Sequence, residues 1–172
     1  MMMRFAAVLA AIVLVGCSFT IVASGDDASA KVEACPITLR LTPGLTTEER
    51  DAVSAAVAMW NGVTVAAKQM CVSDGAGRDV RLIPDHGTEW HAMLSESEDG
   101  VAFIGLTRAT DIVIVGGLSA TTFLRVAAHE FGHVLGLQHV AGHTVMAPAA
   151  LFMADDLTAA DVAECRRVGA CE

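Results

Sequence analysis

The stretch from His129 to His139 reads His-Glu-Phe-Gly-His-Val-Leu-Gly-Leu-Gln-His. It demands a helix, a sharp exit from that helix and a third histidine brought back to one point. Residues four apart on a helix are separated by about 40° around its axis, so His129 and His133 share a face. Two imidazoles placed in this way hold one zinc ion. Glu130 sits beside that face, where it reaches a water near the metal rather than the metal itself. Gly136 lets the backbone leave the helix in the left-handed conformation, and the turn carries His139 round as a third ligand. Three protein ligands leave a fourth position open, the arrangement of a catalytic zinc rather than a structural one.

The chain of 172 residues suits one domain with a sizeable core, and 53% hydrophobic content agrees. The net charge of −9, with no dense Lys/Arg cluster, argues against a nucleic-acid partner. The acidity fits solubility outside the cytoplasm. Part of the apolar content belongs to an export segment. Arg4 precedes the apolar run from Phe5 to Val15, a charged n-region and an h-region of signal-peptide length. Leu14-Val15-Gly16-Cys17 then resembles a bacterial lipoprotein box, in which the cysteine is lipidated and becomes the first mature residue. Two other readings stay open: ordinary cleavage after Ala28-Ser29-Ala30, or an uncleaved anchor continuing through Phe19 to Ala23. The preferred division is a signal peptide over 1–16, a lipidated Cys17 and tether over 17–34, and a zinc-binding domain over 35–172. On that division the chain is an exported monomer held to an outer membrane or cell surface through Cys17; otherwise it is secreted.

Cysteine usage fits export. Without Cys17 the chain keeps Cys35, Cys71, Cys165 and Cys171, an even number for an oxidising compartment. Three pairings are open, and Cys35–Cys71 with Cys165–Cys171 is preferred. Cys35 as an inhibitory thiolate on the zinc is the alternative, and it lacks the flanking Arg and Gly of a cysteine switch.

Along the mature chain, Ile37 to Leu41 alternates as a strand does, and Pro43-Gly44 ends it. Thr46 to Glu49 is a capping box, opening a helix to about Trp60 with Val53, Ala56, Val57 and Trp60 as its apolar stripe. Val63 to Cys71 is ambiguous between strand and helix end, and Ser73 to Gly77 reads as a turn. Asp79 to Ile83 alternates again. Gly100 to Leu106 is a short strand, and the strongly apolar Asp111 to Val115 reads as the central one. Ser119 or Thr121 caps the metal helix, which runs to Leu135. Thr158 caps a last helix ending near Gly169. Strands and helices in this order predict an α+β fold, a mixed sheet with helices packed on it.

With these elements in place, the chain resembles the metzincins, whose three-histidine motif is followed by a Met-turn. Met146 stands at the Met-turn position. Within that class the chain is most similar to the matrixins, on the wording from His129 to His139, the short spacing to Met146 and Pro148, and the helix opened by Leu157-Thr158 and Asp161. The resemblance is strong over 111–168 and architectural over 35–110. It implies a twisted sheet with an antiparallel edge strand, an active-site helix and a C-terminal helix. It also implies a zinc endopeptidase in which Glu130 is the general base and one catalytic zinc is held by His129, His133 and His139. Peptide substrate would lie extended along the strand from Gly100 to Leu106, meeting Val101 and Phe103, with Pro148 in the pocket wall.

The chain departs from the family at Val140, where typical matrixins carry Ser, and family loops for structural calcium or zinc are not recognisable. His86 and His91 read as a solvated loop, and His143 as an exposed loop histidine. A zinc- or peptide-binding lipoprotein without catalysis, and a zinc amidase acting on peptidoglycan peptides, are the competing functions. Glu130 weighs against the first, since holding zinc alone does not need that carboxylate.

Overall fold

The computed structural model describes residues 35–83, 105–149 and 152–172. The signal, Cys17 and tether assigned to 1–34 lie outside these residues, as do His86, His91, Val101 and Phe103. The described strands are β1 (Ile37–Leu41), β2 (Met70–Ser73), β3 (Arg78–Ile83), β4 (Gly105–Thr107) and β5 (Asp111–Val115). They form one sheet in the order β2-β1-β3-β5-β4. The first four in that order run parallel, and β4 is the antiparallel edge on β5. The helices are α1 (Thr47–Asn61), α2 (Ala120–Val134) and α3 (Ala159–Arg167). This is the α+β arrangement the sequence predicts, a mixed sheet with an antiparallel edge strand and helices packed on it.

Local chemistry accounts for the helix starts. Thr46 accepts from the Glu49 N–H, and the Glu49 carboxylate accepts from the Thr46 N–H at 2.7 Å, a closed capping box. Thr158 and Asp161 repeat the device on α3. Ser119, not Thr121, caps α2. The ambiguous segment after α1 resolves into a short 3-10 turn at Ala66–Lys68 followed by β2, and Ser73 belongs to that strand rather than to the turn.

The core lies where α1 and α2 pack on each other and on one face of the sheet. Val53, Ala56, Val57 and Trp60 from α1 meet Phe123, Val126, Ala127 and Phe131 from α2 over Leu39, Val80, Ile112 and Ile114. Trp60 is fully buried, and its indole N–H donates to the Ala128 carbonyl at 2.7 Å. That bond satisfies the ring's one polar group inside the core. The middle strand is β3, not β5, which is next to the edge. Arg40 pairs with Asp79 at 2.6 Å and Arg81 with Asp111 at 2.7 Å, so the polar residues of the middle strands find partners on their neighbours.

The cysteines join as Cys35–Cys71, which ties β1 to β2, and Cys165–Cys171, which closes the turn after α3. Cys35 is therefore not a free thiolate. Among the described residues no helix is long and apolar enough to cross a membrane.

One close approach fixes how the metal helix meets its floor. A Cβ on Gly132 would run into the Met146 sulfur and stand 3.0 Å from Cζ2 of Trp60. Both side chains are fully buried and have little room to retreat. Gly132→Ala should therefore destabilise the domain by about 1–3 kcal/mol, as overpacked cores do, read as a lower denaturant midpoint with unchanged slope. An unchanged midpoint would mean that the floor yields freely.

Candidate active site

Helix α2 carries His129, Glu130 and His133 on its last turns. It ends in a Schellman motif: the Gly136 N–H donates to the His133 carbonyl and the Leu137 N–H to the Gly132 carbonyl, both at 3.0 Å. Gly136 has φ +95°, a conformation that side chains resist. The chain turns there, and His139 arrives beside the two helical histidines. Each of the three imidazoles offers one nitrogen, and these nitrogens lie within 4.8 Å of one another.

Backbone carbonyls orient two of the rings. His129 Nδ1 lies 2.9 Å from the Val145 carbonyl, and His133 Nδ1 lies 2.9 Å from the Leu137 carbonyl. A carbonyl only accepts, so each ring carries its proton on Nδ1 and presents a lone pair at Nε2. The two Nε2 atoms are 3.1 Å apart. A tetrahedral zinc with bonds of about 2.0–2.1 Å holds its nitrogens roughly 3.3–3.4 Å apart, so the two helical donors fit that ion with a small adjustment, and the His139 nitrogen lies within 4.8 Å of them. Burial, with His133 and His139 nearby, lowers His129 to about 4, against the Val145 hydrogen bond. Burial and then His133 also lower His139. Neutral rings are what ligation requires. His129 is buried, His133 half-buried and His139 exposed, so the site opens to solvent on the His139 side.

Glu130 is 4% exposed and faces the edge strand. Thr107 Oγ1 on β4 lies 2.7 Å from Glu130 Oε2 and 2.9 Å from the Glu130 carbonyl oxygen. Burial pushes Glu130 up to about 7, and the Thr107 hydrogen bond pulls in the opposite direction.

Beneath the histidines runs the turn that carries Val145 and Met146, both fully buried. The Val140 N–H donates to the Met146 carbonyl at 2.8 Å and closes the loop after His139. Asp161, fully buried on α3, holds the turn from below. Its Oδ1 accepts from the Met146 N–H at 2.9 Å, and its Oδ2 from the Val145 N–H at 3.0 Å. The Thr158 N–H and hydroxyl complete the set at 2.9 and 2.7 Å. Asp161 thus fixes the backbone whose Val145 carbonyl aims His129.

The structure brings together His129, His133 and His139, with Glu130 next to His129 on the helix and Met146 packed under that helix at Gly132. Pro148 is exposed beyond the turn, and His143 Nδ1 donates to the Phe152 carbonyl at 3.0 Å. Thr107, Gly105, Trp60 and the Val145 carbonyl were not marked as site residues from the sequence. Asp161 was noted only as part of the last helix. Its spacing from Thr158 is a visible signal for a cap, but not for the second task.

A mixed sheet with an antiparallel edge, a helix bearing two metal-competent histidines and a third supplied after a glycine turn define a metallopeptidase scaffold. A matrixin family model matches residues 62–167, which is more than half of the chain, and the chain belongs to that family. It is at family level a zinc metallopeptidase, with three histidines positioned to bind the metal. No curated protein matches it.

Proposed function

We propose that the protein is an exported zinc endopeptidase, with His129, His133 and His139 as ligands and Glu130 as general base. The observation that carries this reading is the meeting of three imidazole nitrogens, two of them from the helix that also bears the buried carboxylate of Glu130. Bound zinc supplies a Lewis acid that polarises a carbonyl and acidifies a nearby water. Glu130 takes one proton from the attacking water as its oxygen bonds to the carbonyl carbon. It returns that proton to the amide nitrogen as the C–N bond breaks. No nucleophilic side chain is required. Among the described residues β4 is the edge of the sheet, and an extended peptide can add there as a further strand. This reading assigns Pro148 and Phe152, both exposed, to the wall that meets side chains beyond the scissile bond.

Two disulfides suit an oxidising compartment, which supports export. Lipidation at Cys17 places the domain on a membrane, and labelled fatty acid should enter the wild type but not Cys17→Ala.

The test is a pool of peptides, some blocked at both ends, some free-ended and some peptidoglycan stem peptides, incubated with the domain from about Lys31 and analysed by mass spectrometry. Internal cleavage that stops with a chelator supports the proposal. Trimming of free-ended peptides alone, cleavage confined to peptidoglycan stem peptides, or zinc binding without cleavage would each overturn it.

A further inference from the structure

Glu130 has a partner that the reaction as described does not use. Thr107 and Gly105 lie two residues apart on β4, so they point to the same side of the strand. That side faces Glu130. The Thr107 hydroxyl meets Oε2 at 2.7 Å, and a Cβ on Gly105 would stand 2.6 Å from Oε1. The carboxyl group therefore packs against the edge strand, one oxygen tied and the other occupying the space a Gly105 side chain would need.

We propose that Thr107 is the positioning residue for the general base, and that it reserves Oε1 as the oxygen that takes and returns the proton. The inference rests on the reading of Glu130 as proton carrier. The last torsion of a glutamate is broad and nearly two-fold, so packing alone leaves the two oxygens interchangeable. A hydroxyl has a single proton to give. Donated to Oε2, it occupies one oxygen and stops the carboxylate from turning. The Glu130 main-chain carbonyl, 2.9 Å away, is a second acceptor within reach of the same hydroxyl, so β4 meets both the side chain and the backbone of this residue. The contact sets the carboxylate relative to β4, the edge strand. During the reaction the proton moves from water to Oε1 and on to the departing nitrogen, while Oε2 keeps its donor throughout.

Gly105 has the complementary task. Its Cβ position is also 2.6 Å from Cγ1 of Val126 on α2, so any side chain there would pry the edge strand from the helix. The close approach that lets Thr107 reach Glu130 depends on this glycine. The edge strand and the helix that bears Glu130 are consequently packed in direct contact.

The test compares zinc-loaded wild type, Thr107→Val, Thr107→Ala and Thr107→Ser on a peptide cleaved in the pool experiment. Both variants that lack the hydroxyl should lose about ten- to a hundredfold in kcat, the worth of a hydrogen bond to a charged group. KM and zinc affinity should stay at wild-type values, and Thr107→Ser should restore most of the rate. In the Glu130→Gln background Thr107→Val should have no further effect, because its role passes through Glu130. The carboxylate infrared band, isolated as wild type minus Glu130→Gln, should shift in Thr107→Val and return in Thr107→Ser. If Thr107→Val does not fold, Thr107→Ala against Thr107→Ser carries the comparison. Full activity without the hydroxyl, while Glu130→Gln is inactive, would overturn this inference and leave the general base standing. Equal losses in both backgrounds would reduce Thr107 to a packing residue and overturn it as well. An active Glu130→Gln would instead overturn the proposed function.

Discussion

Replacing Glu130 by Gln should lower kcat by about 10²–10⁴-fold, the usual contribution of a positioned general base, and leave zinc bound at one ion per chain. The amide has nearly the same size and can still accept from Thr107 through its oxygen, so the contact with β4 survives. What disappears is the capacity to hold a proton between water and leaving group. Zinc should be retained because the three nitrogens that meet at the site belong to His129, His133 and His139 and none to Glu130. Rate and metal content must be measured on the same samples. Loss of zinc together with activity would make Glu130 a structural support of the metal site. Activity within a few fold of wild type would remove it from the chemistry.

The largest effect on stability is expected at Asp161. Its two oxygens accept four hydrogen bonds, three of them from the main-chain N–H groups of Val145, Met146 and Thr158. Asp161→Ala strands these donors in a fully buried setting. Each unsatisfied buried group costs about 1–3 kcal/mol, with water in the vacated space recovering part, so a total of about 3–5 kcal/mol is expected. For a domain of this size that corresponds to a fall of roughly 10–20 °C in Tm. Asp161→Asn should not rescue it. Every partner is a donor, so an amide must turn its NH2 towards at least one N–H. The loss also reaches the metal, since the Val145 carbonyl that orients His129 sits on the released turn. Zinc affinity of the folded fraction should fall by about 10–100-fold, as when an orienting partner is removed. A Tm within about 2 °C of wild type would show that the turn holds without α3.

How far the sequence carries depends on the range of the interaction. The capping boxes at Thr46–Glu49 and Thr158–Asp161 span three residues, and the histidine spacing spans one helix and a turn. Such features are written in consecutive residues and are legible there. The position of β5 was misjudged because its apolar residues report burial on both faces, not place in the order of strands. The true middle strand, β3, carries Arg78, Asp79 and Arg81, and polar residues argue against a central strand until their partners are known. Asp79 is met by Arg40 from β1, and Arg81 by Asp111 from β5. Those pairings link residues 39 and 30 apart in sequence. Thr107 and Glu130 are 23 apart and sit on a strand and a helix, so no periodicity announces their contact. Asp161 lies between the cases: its cap was readable, but its hold on Val145 and Met146 depends on how α3 docks.

Zinc titration tests the account most directly. Protein stripped of metal by a chelator is dialysed free of it, supplied with zinc in fractional equivalents, and assayed for cleavage of a blocked peptide at each step. Cleavage should rise in proportion to bound zinc and level off at one ion per chain, while His139→Ala binds zinc weakly and stays inactive. Activity that persists in the stripped protein, or a full equivalent of zinc bound by the three histidines with no peptide bond cut, would contradict it.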